Sequence, residues 1–234
     1  MVVAGLPALV LFARAPVLGA VKTRLTPALT EEGVLSLYAA FLEDAARVYA
    51  RTSRWEPVLA ALPDPDDPTL TRLFGPPWRR QAQAPGDLGA RLEAAFDAER
   101  ERGAPAVLAV GADHPALPIA LVEEAFEAVR LGSDAALIPA QDGGYCAIAL
   151  NARVPPAAAF RGVPWSTPEV LAVTRAGLAA AGLNVATLGA AYDVDRPEDL
   201  DRLRADLARR DPRAPDYPRA TALALAALDA EAVR

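Results

Sequence analysis

Short apolar runs that could form buried strands alternate along this chain with longer segments that have the pattern of helices. The run Ala106–Val110 is entirely apolar, and the segment that follows it, Ile119–Leu131, has the length of a helix. Such alternation is typical of a doubly wound, mostly parallel sheet that is covered by helices. The predicted strands are Ala8–Ala13, Glu56–Leu62, Arg79–Ala84, Ala106–Val110, Ala135–Pro139, Tyr145–Leu150 and Asn184–Leu188. The predicted helices are one of about 20 residues after an N-cap at Thr30, then Asp87–Arg102, Ile119–Leu131, Pro168–Ala181, Pro197–Arg209 and Thr221–Val233.

The length of 234 residues fits one α/β domain better than two, because a chain of this size can bury one substantial core. We find no internal repeat and no convincing linker, so we expect a single domain over residues 1–234. The stretch Pro63–Pro68 is rich in Pro and Asp and is expected to be a surface turn.

Composition excludes several classes of function. The net charge is -6 and no basic stretch is interleaved with aromatic residues, which argues against a general nucleic-acid binder. No apolar run is long enough to span a bilayer and the N-terminus lacks the pattern of a signal peptide, so we expect a cytoplasmic protein. One cysteine, Cys146, and one histidine, His114, exclude a disulfide framework and a Cys/His zinc site. Carboxylates must therefore hold any metal, which favours a hard cation such as Mg²⁺.

The only lysine of the chain, Lys22, lies in the segment Arg14–Arg24, directly after the first predicted strand. This segment has the Pro and Gly of a loop, together with three cations and the hydroxyl of Thr23. Ligands of open α/β sheets collect outside the carboxyl ends of the strands, so the segment is a candidate phosphate cradle. It matches neither the P-loop nor the dinucleotide-binding motif, and a surface loop that merely carries charge is the alternative.

Carboxylates follow predicted strands at two places. Asp113 comes just after Ala106–Val110 and is the best metal-ligand candidate, with a turn or N-cap role as the alternative. Asp193 and Asp195 would lie on the same side of an extended segment before the helix that begins at Pro197. Asp195 could instead only cap that helix, with a glutamate at capping-box spacing.

Three further segments combine glycines or aromatic residues with polar side chains. One precedes a predicted helix, where backbone N–H groups favour an anion. The second pairs two glycines with an acceptor and an aromatic hydroxyl, although a hairpin turn would explain it equally well. The third could wall a pocket or simply cap a helix. In chain order they contribute Gly86, Asp87, Gly89 and Arg91, then Asp142, Gly143, Gly144 and Tyr145, and finally Trp165, Ser166 and Thr167.

In this order, the segments resemble the bacterial GT-A-fold transferases related to the phospholactate guanylyltransferases of deazaflavin cofactor synthesis, a group often catalogued as glycosyltransferase-like. Two positions depart from that family, which usually has Cys at the position of His114 and Thr at the position of Arg196. The matching motifs are Phe12–Pro16 with Gly19–Leu25, Gly86–Gly89 with Arg91, Gly111–Pro115, Asp142–Tyr145, Trp165–Thr167, and Asp193–Asp195 with Pro197–Leu200.

The resemblance implies a three-layer α/β/α GT-A fold with a nucleotide-binding half at about residues 1–115, an acceptor half at about 116–210 and a C-terminal helix at about 219–233. It implies Mg²⁺ or Mn²⁺ between Asp113 and Asp195, with Asp193 as a further or substitute ligand. Two carboxylates this close would repel one another without a cation. The catalytic candidates are Asp113, Lys22 and Asp142. The nucleotide and phosphate candidates are Arg14, Lys22, Thr23, Arg24, Gly86, Asp87, Gly89 and Arg91, and the acceptor candidates are Asp142, Gly143, Gly144, Tyr145, Trp165, Ser166 and Thr167.

The favoured function is nucleotidyl transfer from an NTP to a small phosphorylated or sugar-like acceptor, because the first loop is cationic enough for a triphosphate. Glycosyl transfer from an NDP-sugar is the alternative. It would more typically show Asp-x-Asp where this chain has Asp113-His114-Pro115. A non-catalytic nucleotide-binding module is the third reading. The nucleotide base, the acceptor and the oligomeric state stay open.

Overall fold

A computed structural model describes residues 5–232 and shows seven strands in one sheet with helices on both faces. The doubly wound α/β fold is therefore confirmed. The strands are β1 (Ala8–Arg14), β2 (Glu56–Leu62), β3 (Arg79–Ala82), β4 (Ala106–Gly111), β5 (Ala135–Pro139), β6 (Tyr145–Asn151) and β7 (Val185–Thr187). The helices are α1 (Glu31–Tyr49), α2 (Pro68–Leu73), α3 (Leu88–Glu101), α4 (Ile119–Arg130), α5 (Ala157–Phe160), α6 (Val170–Ala180), α7 (Pro197–Arg209) and α8 (Arg219–Ala232), and Thr23–Leu25 forms a single 3-10 turn.

The strand order is β3-β2-β1-β4-β6-β5-β7, and only β6 runs antiparallel to its neighbours. The other pairs, such as β1 with β2 and β1 with β4, are parallel. The amino end of β6 therefore lies at the same edge as the carboxyl ends of β1 and β4. This topology brings the turn before β6 to the edge where ligands bind in α/β sheets.

Alternation along the strands divides the core into two layers. Leu9 and Leu11 of β1 face α1, α4, α7 and α8, whereas Ala8 and Val10 face α3, α5 and α6. Both faces of the central strands are buried, which explains why these strands are continuous apolar runs.

The predicted bounds of β2, β5 and α7 match the structure to the residue. Helix α1 begins after Thr30 as predicted, because the Thr30 side chain accepts a hydrogen bond from the Gly33 backbone N–H at 3.1 Å. The last residue predicted for the C-terminal helix, Val233, lies outside the described residues.

The expectation of a plain surface turn over Pro63–Pro68 was wrong at its end. Asp67 caps α2 by accepting hydrogen bonds from the backbone N–H groups of Thr69 and Leu70, at 2.8 and 3.1 Å, and Pro68 occupies the first helical position. An acceptor followed by Pro is a recognised start of a helix, so the signal was present in the sequence. Within residues 5–232, no helix combines the length and the apolarity that a membrane crossing requires.

Candidate active site

Three segments that are distant in sequence meet at the carboxyl edge of β1 and β4. The backbone N–H of Ala112 donates to the Phe12 carbonyl at 3.1 Å, which continues the pairing of β4 with β1. The backbone N–H of Val194 donates to the Asp113 carbonyl at 2.9 Å. The segment that carries Asp193 and Asp195 is therefore held directly beside Asp113.

Lys22 lies between the two carboxylates that were expected to share a metal ion. Its Nζ donates to Oδ2 of Asp113 at 2.9 Å and lies 3.4 Å from Oδ1 of Asp195. The Lys22 side chain is only 9% exposed. Lys22, which the sequence predicts to bind phosphate, thus contacts both aspartates, and its ammonium supplies the positive charge that keeps these carboxylates together.

The charges in this cluster shift one another's pKa values. Burial raises the pKa of Asp113, but the Lys22 ammonium and His114 outweigh this effect and hold the pKa well below its ordinary value. Burial lowers the pKa of Lys22, and here Asp113, followed by Asp195, outweighs it and raises the pKa. Burial and the Asp113 charge raise the pKa of Asp193. Asp113 therefore stays ionised, whereas Asp193 is the carboxyl that protonates more readily.

The pair of Lys22 and Asp113 makes part of the folding free energy depend on pH. In an unfolded chain the pKa of an Asp side chain is about 3.9 and that of a Lys side chain is about 10.4. As the pH falls below about 4, the unfolded state takes up the Asp113 proton before the folded state does, so the contribution of the pair is lost. As the pH rises above about 10, the unfolded state releases the Lys22 proton first and the contribution is lost again.

We therefore expect the difference in free energy of unfolding between the wild type and Asp113→Asn to be present above about pH 5 and to shrink below about pH 4. Urea titrations in a chelator, at a series of pH values, measure this difference. A gap that persists unchanged into strong acid would contradict the ion pair.

The His114 side chain is buried at the carboxyl edge of β4 rather than pointing into solvent. Its Nε2 lies 3.2 Å from Oδ1 of Asp113, and its Nδ1 lies 3.2 Å from the Tyr192 carbonyl oxygen. Because a carbonyl oxygen only accepts, Nδ1 carries a proton and donates it. Nε2 can donate to Asp113 only when the ring carries a second proton, so it is the imidazolium form that links Asp113 to the strand-like segment before Asp193.

The loop after β1 presents two cations to solvent. Arg24 is 66% exposed and its Nη1 donates to Oδ2 of Asp195 at 2.7 Å. The side chain of Arg14 is exposed at the end of β1, as is Thr23 farther along the loop. Asp195 therefore binds both Lys22 and Arg24. The alternative in which Asp195 only caps α7 was wrong, because its carboxylate contacts these two cations. Asp199 instead accepts hydrogen bonds from the backbone N–H groups of Asp195 and Arg196 at the start of the helix.

Tyr38 of α1 fixes the start of this loop, and the sequence analysis missed it. Its hydroxyl donates to the Arg14 carbonyl at 3.1 Å and accepts from the Arg14 backbone N–H at 3.0 Å. Burial raises the pKa of Tyr38 to about 12, so the hydroxyl keeps its proton. No local pattern distinguishes Tyr38 from an ordinary core residue of α1, because its partner is 24 positions away.

The two segments predicted to wall an acceptor pocket are packed against each other. Gly143 has a φ of 91°, and a Cβ at this position would lie 2.1 Å from the Pro168 carbonyl oxygen. The Leu171 backbone N–H also donates to the Gly143 carbonyl at 2.9 Å. Asp142 closes the turn by accepting from the Gly144 backbone N–H at 2.9 Å. The turn before β6 is therefore anchored to the start of α6.

The prediction that Tyr145 offers its hydroxyl to an acceptor was wrong. The Tyr145 hydroxyl is buried beneath the edge, and burial raises its pKa. Its ring stands edge-on to Trp165 with 6.3 Å between the ring centroids. Both faces of β6 are buried, so alternation alone could not show which way Tyr145 points.

Trp165 joins the predicted acceptor segment to the predicted nucleotide segment. A Cβ on Gly89 would lie 2.5 Å from the Trp165 Nε1, so only glycine allows this approach. Ser166 is exposed with a φ of 65°, and the Thr167 hydroxyl donates to the Pro164 carbonyl at 2.8 Å. Ser166 therefore remains as an exposed hydroxyl, whereas the Thr167 hydroxyl is already engaged.

The start of α3 already holds an anion of its own. The Asp87 carboxylate accepts from the Ala90 backbone N–H at 2.8 Å, and the Arg91 Nε donates to the Gly86 carbonyl at 3.0 Å. One of the helix N–H groups that were expected to favour an anion is thus already bonded to Asp87, and the prediction of an anion at this helix start stays a prediction. The Arg91 guanidinium keeps further N–H groups with which it could meet an anion.

A second residue that the sequence analysis missed, Arg202, lies beside the turn before β6. The Arg202 guanidinium stacks 3.8 Å above the centre of the Tyr192 ring and donates to the Gln141 side-chain oxygen. Burial, followed by the charges of Asp113, Asp193 and Asp142, raises the pKa of the Cys146 thiol. Cys146 is therefore an inert core thiol.

The residues that converge on Lys22 suit a hard cation. Among the described residues, no three His, Cys, Asp or Glu side chains are close enough to hold a metal by themselves. Mg²⁺ in enzymes is usually held by one or two carboxylates together with substrate phosphates, so such a cage is not required. The Lys22 ammonium contacts both Asp113 and Asp195, so oxygens of the two carboxylates converge on one point. A positive charge already occupies that point, where a metal ion would bind.

Solved structures share this fold along nearly the whole chain. A protein from Desulfovibrio desulfuricans G20 described as a "putative nucleotide-diphospho-sugar transferase" is 29% identical, with a TM-score of 0.82, and the match covers 94% of this chain and 97% of that one. CMP:2-keto-3-deoxy-manno-octonic acid synthetase complexed with CTP is 14% identical, with a TM-score of 0.53 and coverage of 87% and 99%. The 4-diphosphocytidyl-2C-methyl-D-erythritol synthase from Anaerococcus prevotii DSM 20548 is 11% identical, with a TM-score of 0.62 and coverage of 88% and 97%.

The expectation of a nucleotidyltransferase-like or glycosyltransferase-like enzyme is thus confirmed at the level of the fold. A search of curated proteins found no match to the chain. One family model matches residues 45–167, which is more than half of the chain. The chain therefore belongs to the family described as "Uncharacterized protein conserved in bacteria (DUF2064)".

Proposed function

We propose that this protein is a Mg²⁺-dependent transferase that uses a nucleotide-activated donor, and that it transfers a nucleotidyl group from an NTP to a small phosphorylated or sugar-like acceptor. One observation carries the proposal: Asp113 and Asp195 converge on a single cationic point at the carboxyl edge of β1 and β4, beside a loop with two further, exposed cations. Similarity to cytidylyl-transferring structures supports the same class of donor.

In this proposal, Asp113 and Asp195 hold the metal ion together with the donor phosphates. The metal supplies Lewis-acid stabilisation of the charge that develops as pyrophosphate leaves. Arg14 and Arg24 bind the distal phosphates from the loop through charge-assisted hydrogen bonds. Tyr38 fixes the start of the loop, because its hydroxyl is hydrogen-bonded to both the N–H and the carbonyl group of the Arg14 backbone.

The acceptor would lie against the turn before β6, on the far side of Asp113 from the loop. Asp142 uses Oδ1 for the turn, which leaves Oδ2 to accept a hydrogen bond from an acceptor hydroxyl. Gly143 is packed against Pro168, so Gly144 is the glycine that would let the backbone approach the acceptor closely. Positioning and electrostatics are sufficient for this chemistry, and no covalent nucleophile is required.

Glycosyl transfer from an NDP-sugar is the second candidate. It is favoured by the nucleotide-diphospho-sugar transferase description of the structure that is 29% identical over 94% of the chain. A diphosphate would need fewer cations than this loop offers, and for that reason we rank it second.

A thermal-shift panel of NTPs and NDP-sugars, with and without Mg²⁺, tests the proposal. The ligand that binds the folded state should raise the melting temperature, because a ligand at 100 times its Kd adds about 2.7 kcal/mol of stability. We expect an NTP with Mg²⁺ to give the largest shift. A shift with NDP-sugars alone would support the second candidate, and no shift with any nucleotide would overturn both.

We expect Arg24→Gln to weaken NTP binding about tenfold while the melting temperature of the free protein changes little, because an exposed ion pair contributes little to stability. Arg130→Gln is the matched control, since Arg130 is equally exposed and pairs with Glu127 on α4. Calorimetric titration with the nucleotide that the panel identifies measures both variants. Equal losses of affinity in the two would remove the loop from the binding site.

A further inference from the structure

The Lys22 ammonium and a divalent cation would compete for the same carboxylate oxygens. Nζ lies within 2.9 Å of Asp113 and 3.4 Å of Asp195, and its side chain is 9% exposed. Positive charges at such separations repel strongly in a partly desolvated site. One cation must therefore leave before the other can enter.

We propose that Lys22 is a displaceable internal cation: its ammonium fills the position between Asp113 and Asp195 until the phosphates of the donor draw it away, so that the metal enters with the nucleotide and not before it. The inference rests on the proposed function and assigns an order of binding to that same site.

The Lys22 side chain can move while the backbone of the loop stays in place. Val21 and Leu25 on either side are buried in the core, and the Leu25 backbone N–H donates to the Lys22 carbonyl at 2.9 Å. Lys22 itself has a φ of 45°, a left-handed conformation that non-glycine residues seldom adopt. The loop is therefore held at both ends, and the flexible four-carbon stem is the part that can swing.

The neighbouring cations show where the ammonium would go. Arg24 is 66% exposed and already contacts Asp195, and Arg14 is exposed at the start of the same loop. Phosphates bound by these two arginines would lie beside Lys22 and offer its ammonium a new partner. The vacated carboxylates and the phosphates would together give the mixed ligand set that Mg²⁺ prefers.

Binding of Mn²⁺ alone, measured by electron paramagnetic resonance, tests the competition directly. We expect the full-length wild type to bind Mn²⁺ weakly and Lys22→Gln to bind it at least about tenfold more tightly, because the competing charge is gone. The double variant Lys22→Gln/Asp113→Asn should lose this gain. Arg130→Gln is the control, because Arg130 is as exposed as Arg24 but pairs with Glu127 on α4, and it should change the Mn²⁺ affinity by less than about threefold. Equal affinities of the wild type and Lys22→Gln, or a gain that survives Asp113→Asn, would overturn the proposal.

A measurement on the wild type keeps the test decisive if Lys22→Gln does not fold. Because Lys22 is the only lysine, biosynthetic labelling with lysine carrying ¹³C at Cε gives one lysine resonance. We expect this resonance to stay in place when millimolar Mg²⁺ is added alone and to shift when an NTP follows. The same full shift with Mg²⁺ alone would overturn the proposal.

Failure of the proposed function would look different. In that case no nucleotide would bind, whereas the Mn²⁺ titrations would still show whether Lys22 excludes metal from the two carboxylates.

Discussion

Asp113→Asn is expected to lower turnover by about 10³-fold, which corresponds to about 4 kcal/mol of transition-state stabilisation. The reason is that Asp113 meets Lys22 and His114 and is one of the two carboxylates that we propose hold the metal. Release of pyrophosphate, or of a nucleoside diphosphate if a sugar is transferred, measures the loss.

Asp97→Asn is the matched control for this prediction. Asp97 is a carboxylate of α3 that pairs with Arg100 and has no contact with the carboxyl edge. The Asp97→Asn variant should keep the activity of the wild type. If Asp113→Asn is as active as Asp97→Asn, the catalytic assignment of Asp113 fails, and the proposed metal position fails with it.

Gly143→Ala is expected to reduce the free energy of unfolding by about 3 kcal/mol, the largest stability effect that we predict. Two costs add at this position: a φ of 91°, and a Cβ that would lie 2.1 Å from the Pro168 carbonyl oxygen. Urea denaturation of the free protein measures the change.

Gly182→Ala separates these two costs. Gly182 has a φ of 73° with no atom within 4 Å of an added Cβ, so only the backbone strain of about 1–2 kcal/mol remains. If both variants lose the same stability, the contact with Pro168 yields easily, and the turn before β6 is not firmly anchored to the start of α6.

The sequence could predict the elements of this fold because their signals are local. The apolar runs of β2 and β5, and Pro197 at the first position of α7, each lie within a few residues of what they specify. The α2 helix was missed because its short segment is surrounded by prolines that also fit a turn. Local patterns thus located most elements and the edge on which the candidate residues gather.

The pairing inside the site could not be predicted in the same way. Lys22 meets carboxylates that are 91 and 173 positions away, and no local pattern shows that its side chain is buried between them. The inward direction of Tyr145 depends on the antiparallel course of β6 between two neighbours. These details depend on tertiary contacts that distant segments make, which spacing along the chain does not encode.

The antiparallel course of β6 also affects how relatives with this sheet could diversify. Because β5 and β6 pair with each other directly, residues 140–144 form a hairpin tip, which is held at Gln141 by Arg202 and at Gly143 by the start of α6. Residues added outside these anchors would cost little, since each doubling of the length of a flexible loop costs only about 0.6 kcal/mol. Exchanging this tip between homologues would replace the wall that we propose faces the acceptor and keep the loop that we propose binds the donor. The choice of acceptor would then change with one short segment of the chain.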